Sequence, residues 1–214
     1  MRKKHLDMVD AVHAEFDQMK ASLPDELIDG AGLVHPIACG RGCHACCLIE
    51  VAVTASEILR IKAFVENLPR NASEKIKTRV RHARRAIGDK TGLDRKTSGV
   101  MCPLLADGVC TIYLVRPLTC RAWVSADAER CDHDANEPLA GTKVMYSTTL
   151  KGYSEDLFRQ IVTSERRENT VGGSYELIRA LHIGWQDDQF TVGFYGGKPV
   201  LAKARFVPFD WDAN

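Results

Sequence analysis

Apolar side chains in the N-terminal segment recur at steps of three and four residues. They are Leu6, Val9, Val12, Phe16, Met19 and Leu23. This spacing is typical of an amphipathic helix, which we expect to end before Pro24. Gly, Pro and Cys are frequent over residues 24–50, so the pattern there predicts irregular backbone.

Two more helices follow with the same apolar period. Thr54 and Glu57 form a capping-box pattern at the start of the second helix, which ends before Pro69. Asn71 opens a third helix with a similar cap signature, and Gly88 closes that helix.

The C-terminal half mixes irregular backbone with further periodic segments. Residues 89–142 look irregular apart from a hairpin turn at Asp107-Gly108 and a helical turn opened by Pro117. Residues 154–162 and 174–185 predict two helices, the second capped by Ser174. Alternation over residues 189–206, on both sides of a Gly-Gly pair, predicts a C-terminal β-hairpin.

These elements predict a mainly α fold: a small helical domain with two cysteine-rich irregular segments closing on a metal site, plus short β-hairpins. We expect a single domain over residues 1–214. Its parts are an N-terminal helix within 1–38, a cysteine-cluster core at 39–132, and C-terminal helices with a β-hairpin at 143–214.

Composition indicates an ordinary globular chain. Of its 214 residues 45% are hydrophobic, and its formal net charge is +1, which gives no general attraction to nucleic acid. No apolar run approaches the ~20 residues of a membrane helix, and the N-terminus lacks the apolar core of a signal peptide. We therefore expect a cytoplasmic protein with no membrane partner, in which structural disulfides are rare.

The eight cysteines fall into two groups. Cys39, Cys43, Cys46 and Cys47 lie in one segment, and Cys102, Cys110, Cys120 and Cys131 lie in another. Clustered thiols on loops suit zinc or an iron–sulfur cluster, both of which take four thiolates. Free cysteines that only pack the core, and a disulfide framework, are the competing interpretations.

The adjacent pair limits the possible ligand sets. Neighbouring side chains point in different directions, so Cys46 and Cys47 are poorly placed to bind one ion together. The eight cysteines then form two four-thiolate sites, or one cluster with further cysteines that pack, bridge or react. Spacing does not distinguish zinc from iron–sulfur.

Charged residues near the cysteines have a possible supporting role. Arg116 and Arg121 flank the Cys110–Cys120 stretch, and Arg41 lies inside the first group. Such side chains can donate hydrogen bonds to sulfur and balance the negative charge of a thiolate site. His44 and His133 are alternative ligands, although exposed loop histidines without a metal are more common.

The cysteine pattern resembles the YkgJ-type cysteine-cluster family, whose members are described as zinc- or iron-chelating. The stretches that carry the resemblance are CGRGCHACC, VAVTASEILRI, GVCTIYLVRPLTCRAW and RCD. The residues that match the family pattern are Cys43, Cys46, Cys47, Cys102, Cys110, Ile112, Tyr113, Arg116, Pro117, Cys120, Arg121 and Cys131. Cys39 departs from it, because three residues rather than two separate it from Cys43. The resemblance implies metal or iron–sulfur binding, and one branch is similar to flagellin lysine methylases.

Two hypotheses about function follow. The first is a metal-binding cysteine-cluster protein that holds zinc or an iron–sulfur cluster. The second is an iron–sulfur-dependent enzyme, either methyltransferase-like or an oxidoreductase, although the sequence singles out no catalytic residue. Separately, residues 75–96 hold nine Lys or Arg against two Asp, which makes an acidic partner possible there. No specific nucleic acid is predicted.

Overall fold

The computed structural model describes residues 2–24, 26–28, 32–40, 42–168 and 171–206. Within these ranges the chain is mainly helical, as predicted. The helices are α1 (Arg2–Ser22), α2 (Ala55–Glu66), α3 (Arg70–Ile87), α4 (Gly92–Thr97), α5 (Leu118–Ala122), α6 (Ala128–Asn136), α7 (Thr148–Arg167), α8 (Leu177–Gln186) and α9 (Phe190–Tyr195). None of these is long and apolar enough to span a membrane.

Short antiparallel strand pairs complete the fold. The strands are β1 (Glu26–Ile28), β2 (Val34–Pro36), β3 (Ala52–Val53), β4 (Leu105–Ala106), β5 (Val109–Cys110) and β6 (Tyr175–Glu176). They pair as β1 with β2, β3 with β6, and β4 with β5. The predicted hairpin turn is confirmed between β4 and β5, where Asp107 and Gly108 both have positive φ, 51° and 72°.

The core consists mainly of two apolar clusters. The larger one joins α2, α3, α8 and α9 through side chains such as Ile58, Val80 and Phe190. The second joins α1, α5 and α7 around Phe16 and Leu157. Three cysteines of the second group (Cys102, Cys110 and Cys120) pack against the larger cluster, so the cysteine-rich segments lie at its edge.

A buried carboxylate connects three of these helices. Thr54 and Glu57 form the predicted capping box at the start of α2. Glu57 is fully buried, and its carboxylate also accepts the backbone N–H of Leu118 at 2.8 Å and contacts His13 Nε2 at 3.2 Å. Burial acts to raise the pKa of Glu57, but these hydrogen bonds and the charge of His13 outweigh it and leave the pKa below its usual value. The α2 cap therefore also holds α1 and α5.

Three predicted helix starts are wrong. The helix predicted from residue 154 begins earlier, at Thr148, after the cap residue Ser147, and the other two caps differ from the predicted ones by two residues. The carbonyl of Pro69 accepts the first free N–H groups of α3, so the helix begins before Asn71. Ser174 does not cap α8, because the backbone that follows it first pairs with β3 as strand β6. Glu176 caps α8 instead, accepting the N–H groups of the second and third residues of the helix.

The predicted C-terminal β-hairpin is wrong. Residues 190–195 form α9, and a 3-10 turn follows at Ala202–Ala204. Phe190 and Phe194 are both buried at a helical spacing of four, so packing favours the helical period over the alternating one. Gly193 lies against Val200, where a β-carbon would approach a side-chain methyl to 2.6 Å.

Residues 89–142 contain more helix than predicted. The segment includes α4 and α6 as well as the expected turn at α5. Cys120 lies on α5 and Cys131 lies on α6, so the second cysteine group is not confined to irregular backbone. The capping residue Asp127, which accepts the N–H of Arg130, is the local signal for α6.

Replacing Glu57 by Gln tests the buried cap. The amide offers one oxygen where the carboxylate offers two, so a buried N–H at Thr54 or Leu118 loses its acceptor. We expect the free energy of unfolding in urea to fall by about 3 kcal/mol. Glu66→Gln on the same helix removes only a surface pair with Lys62 and is the control, with an expected loss of at most about 0.5 kcal/mol. Equal losses in both variants would contradict the role of Glu57.

The buried carboxyl of Glu165 predicts a pH dependence. Burial raises its pKa to about 8, so between the unfolded and folded pKa values only the native state holds this proton. Its contribution to stability is complete below the unfolded pKa and is lost as the pH rises through about 8. Glu165→Gln should therefore gain stability relative to the natural chain between pH 5.5 and 8.5, by at most about 1.4 kcal/mol per pH unit. Glu155→Gln, on the same helix at a surface pair with Lys151, should show no such trend in denaturant titrations.

Candidate metal centre

The first cysteine group lies on a tight turn that leads into a 3-10 helix. The N–H of Cys43 donates to the carbonyl of Gly40 at 3.1 Å, and Gly42 has a φ of 92°, which favours glycine. The 3-10 helix Ala45–Leu48 carries Cys46 and Cys47. Arg41, a predicted counter-charge, lies outside the described residues.

A backbone hydrogen bond joins the two cysteine segments. The N–H of Cys102 donates to the carbonyl of Cys47 at 2.8 Å. From Cys102 the chain enters the β4–β5 hairpin, which ends at Cys110. Cys120 follows on α5, whose first N–H is held by Glu57. Ordinary main-chain contacts therefore bring the distant cysteines together.

Six of the eight predicted ligands line one cavity of about 130 Å³. They are Cys43, Cys46, Cys47, Cys102, Cys110 and Cys120. Most of the remaining wall is apolar, with Val51, Leu104, Ile112 and Leu177 among its residues, and Arg116 provides a positive charge. The wall thus combines soft sulfur ligands with a low-dielectric surrounding.

Cys39 and Cys131 lie outside this cavity and share a third residue. The backbone N–H of Ser125 donates to Cys39 Sγ at 3.2 Å, and its side chain hydrogen-bonds the thiol of Cys131. Ser125 is buried and its Oγ also accepts the N–H of Asp127 at 3.1 Å. Sequence reasoning missed Ser125, because no local pattern distinguishes it from other loop serines.

The cysteines that are neighbours in the folded structure are not the same groups as in the sequence. The thiol of Cys120 interacts electrostatically with Cys102, Cys46 and Cys110. The thiol of Cys43 interacts instead with Cys39, Cys46 and Cys131. Cys46 thus belongs to the surroundings of both sets, and we call Cys46, Cys102, Cys110 and Cys120 the inner set and Cys39, Cys43 and Cys131 the outer set.

The inner thiols favour their protonated form in the absence of a cation. Burial raises the pKa of Cys102 to about 12, and burial followed by neighbouring cysteines raises that of Cys120 well above its usual value. A hydrogen bond with Cys47 and burial raise the pKa of Cys46. Metal ions bind thiolates, so loading these residues must release protons.

The cysteines surround a volume and do not meet at a point. Among the described residues, no three Cys, His, Asp or Glu side chains are arranged to hold one ion. A zinc ion with four thiolates needs sulfur atoms at about 2.3 Å from a common centre. The described side chains therefore do not form such a closed tetrahedral arrangement.

The two predicted supporting arginines have different surroundings. Arg116 lines the cavity, its guanidinium lies 4.1 Å from the centre of the Tyr113 ring, and its buried Nε has no protein partner in the described chain. Its charge acts to lower the pKa values of Cys46 and Cys110. Arg116 is therefore placed to offset negative charge in the cavity.

Arg121 is occupied elsewhere. It donates to the carbonyls of Arg116 and Leu114 at 2.9 and 2.7 Å and bonds to Asp17 of α1. These contacts join the segment before α5 to α1. They favour a role in positioning the Arg116 backbone, and direct contact of Arg121 with sulfur stays a prediction.

A third arginine near the cavity was missed by sequence reasoning. Arg95 on α4 is only 1% exposed, and none of its three guanidinium nitrogens has a hydrogen-bond partner among the residues described. Burial lowers the pKa of Arg95 and the charge of Arg179 acts in the same direction, whereas Glu176, Cys102 and Glu50 act to raise it. Its sequence neighbourhood reads as a polar surface segment, so only the packing of α4 reveals it.

The two histidines considered as ligands lie at the surface. His44 is exposed and its Nδ1 contacts the carbonyl of Gly42 at 2.7 Å. His133 is also exposed, with Nδ1 at 2.8 Å from Thr142 Oγ1. Both rings thus have local polar partners; His44 precedes the 3-10 helix and His133 lies on α6.

Comparison with known proteins identifies the cysteine region. Residues 38–138 match the family model CxxCxxCC, described as "Putative zinc- or iron-chelating domain". A search of curated proteins and a search of solved structures found no match. The match spans all eight cysteines together with Ser125, Arg95 and Arg116. The cysteine region of this chain, residues 38–138, is therefore similar to the CxxCxxCC family in the part of the sequence that holds all eight cysteines.

Proposed function

We propose that the protein is a metal-binding cysteine-cluster protein whose inner set holds an iron–sulfur cluster. The observation that supports this is the cavity that Cys46, Cys102, Cys110 and Cys120 line together. Four thiolates are the usual ligands of such clusters. A cluster also occupies a volume between its ligands, which suits sulfurs spread around about 130 Å³ better than a single zinc ion does.

The outer set is proposed as a second, separate metal-binding group. Cys39 and Cys131 are connected through Ser125, and Cys43 is exposed at the cavity entrance. Cys47 follows Cys46 on the same 3-10 turn and is the candidate fourth ligand. In this arrangement the adjacent cysteines serve different centres, although both line the cavity and a hydrogen bond joins their side chains.

Charge balance supports the inner site. Four thiolates in an apolar wall need nearby positive charge, because a buried net charge is costly. Arg116 faces the cavity. Arg95 lies in the electrostatic surroundings of Cys102, and its guanidinium has no hydrogen-bond partner within the described part of the chain. Hydrogen-bond donors around the sulfurs are also the means by which proteins set the reduction potential of a cluster.

The enzyme hypothesis has no specific support in this cavity. Sites for small-molecule substrates commonly enclose about 300–1,000 Å³ with a few convergent polar groups. The cysteine cavity measures about 130 Å³ and has a mainly apolar wall. Electron transfer, metal storage and a structural role of the metal centre fit the small apolar cavity better than catalysis on a bound substrate does.

Serine variants of one cysteine from each set test the assignment. Protein purified without oxygen should contain iron and sulfide and should show visible thiolate-to-iron absorption. Cys120→Ser should lose that absorption and most of the iron, whereas Cys131→Ser should keep the absorption and lose only metal held by the outer set. The measurements are elemental analysis, sulfide content and the absorption spectrum.

The contrary outcomes are equally distinct. A colourless natural chain loaded with zinc would disprove the iron–sulfur proposal and leave metal binding intact. Loss of all metal in both variants would contradict separate inner and outer sets. Thiols that titrate freely in the natural chain, with neither iron nor zinc present, would disprove metal binding itself.

Replacing Arg95 tests its role as a counter-charge. We expect Arg95→Gln to release metal to a chelator about tenfold faster, and Arg95→Lys to show a smaller effect because the positive charge remains. Arg166→Gln on α7 removes an arginine that donates to the carbonyl of Gly172 at 3.3 Å and is the matched control. Release rates that are equal in all three variants would show that Arg95 does not stabilise the site.

A further inference from the structure

A second pocket lies between α3 and α8. It has a volume of about 220 Å³. Its wall consists of Glu74, Lys77, Val80 and Arg81 of α3 and His182, Trp185 and Gln186 of α8. None of these residues belongs to the inner or outer cysteine set, so the pocket is separate from the candidate metal centre.

Two ring nitrogens in this wall have unmet hydrogen-bonding capacity. His182 Nδ1 and Trp185 Nε1 are buried and have no hydrogen-bond partner among the described residues. The indole nitrogen is always a donor, and the imidazole nitrogen can be one. Buried polar atoms normally have partners, so a ligand that accepts hydrogen bonds would satisfy both rings.

Positive charge is concentrated around the same pocket. Lys77 and Arg81 belong to its wall. The pKa of His182 is lowered by burial and then by the charges of Arg84, Arg85 and Arg81. Among the described wall residues Glu74 alone carries a carboxylate, which accepts a hydrogen bond from Lys77 at 3.1 Å.

We propose that the α3–α8 pocket binds a phosphate group. Its oxygens would accept from the indole and imidazole N–H groups, while Arg81 and Lys77 neutralise its charge. A guanidinium suits the paired oxygens of a phosphate, and charge-assisted hydrogen bonds of this kind are the stronger ones.

The pocket differs from an ordinary solvated helix face. Arg81 is exposed, as Lys75 and Arg85 are, and donates to Thr78 Oγ1 at 2.8 Å, whereas Lys77 is half-buried. Here the donors of α8 lie opposite the cations of α3, and α3 and α8 pack directly on each other. The sequence of residues 75–96 contains no interleaved aromatic residue. The aromatic donor comes from a helix about a hundred residues later.

Binding is measured by calorimetry on the full metal-loaded chain at low salt. The two probes are inorganic phosphate and a single-stranded oligonucleotide of about twelve nucleotides. We expect Arg81→Gln to weaken binding of the phosphate-bearing probe by about tenfold or more. Trp185→Phe keeps an aromatic ring in the core but removes the N–H donor, so it should weaken binding several-fold.

Arg159→Gln makes the same charge change on α7, far along the chain from the pocket, and is the control with expected unchanged affinity. Circular dichroism and urea midpoints establish that each variant is folded.

Much tighter binding of the oligonucleotide, with a salt dependence that reports several phosphates, would identify a nucleic-acid strand as the source of the phosphate. Similar affinities for both probes would identify a small phosphate-bearing ligand. No binding of either probe, or equal affinities for Arg81→Gln, Trp185→Phe and the control, would overturn the proposal.

Discussion

The buried carboxylate of Glu57 is the interaction on which the positions of the other elements near the cysteines depend. It caps its own helix, accepts the first N–H of α5 and contacts His13 of α1. The α5 helix carries Cys120. Thr54, the cap residue of α2, lies a short distance after Cys47 in the chain. One fully buried acceptor thus determines the relative placement of two cysteine-bearing segments, in a setting where each unmet N–H would be costly.

The same region has to reconcile sulfur with an apolar environment. Burial keeps the inner thiols protonated, whereas metal binding needs thiolates. The proposed site can be loaded because the cation replaces the protons and because Arg116 and Arg95 supply further positive charge. This arrangement connects metal binding to proton release, and it makes the arginines part of the energetics of the site although neither binds the metal.

The sequence was most informative where a local pattern agreed with the packing. The capping box at Thr54 and the turn at Asp107-Gly108 were predictable because their hydrogen bonds and dihedral angles involve adjacent residues. Phe190 and Phe194 were misread because a short apolar segment fits both a helical and an alternating period, and only the core decides between them. The boundary near Tyr175 failed for a related reason, since its strand partner lies on β3, far along the chain.

The candidate site likewise contains residues that the sequence predicts and residues that only the folded structure reveals. Residue type and clustering pointed to the eight cysteines and to Arg116, and the family match supports the chelating character of the region. The division into inner and outer sets could not be read from spacing, because Cys46 lies between both sets only after α5 and α6 have packed. Arg95 and Ser125 could not be predicted either, since their importance comes from burial and from partners distant in sequence.

The hydrogen bond from Cys102 to Cys47 has a consequence for attempts to reduce this protein to a short mimic. Between its two ends the chain forms β3, α2, α3 and α4, and the packing of α2 and α3 in the larger core cluster closes the loop. A synthetic peptide containing only residues 39–47 would have to close that loop without the core, and it would lack the sulfurs that arrive from β5 and α5. The smallest portable version of the site is therefore a folded unit, and grafting it onto another scaffold requires the helices as well as the cysteines.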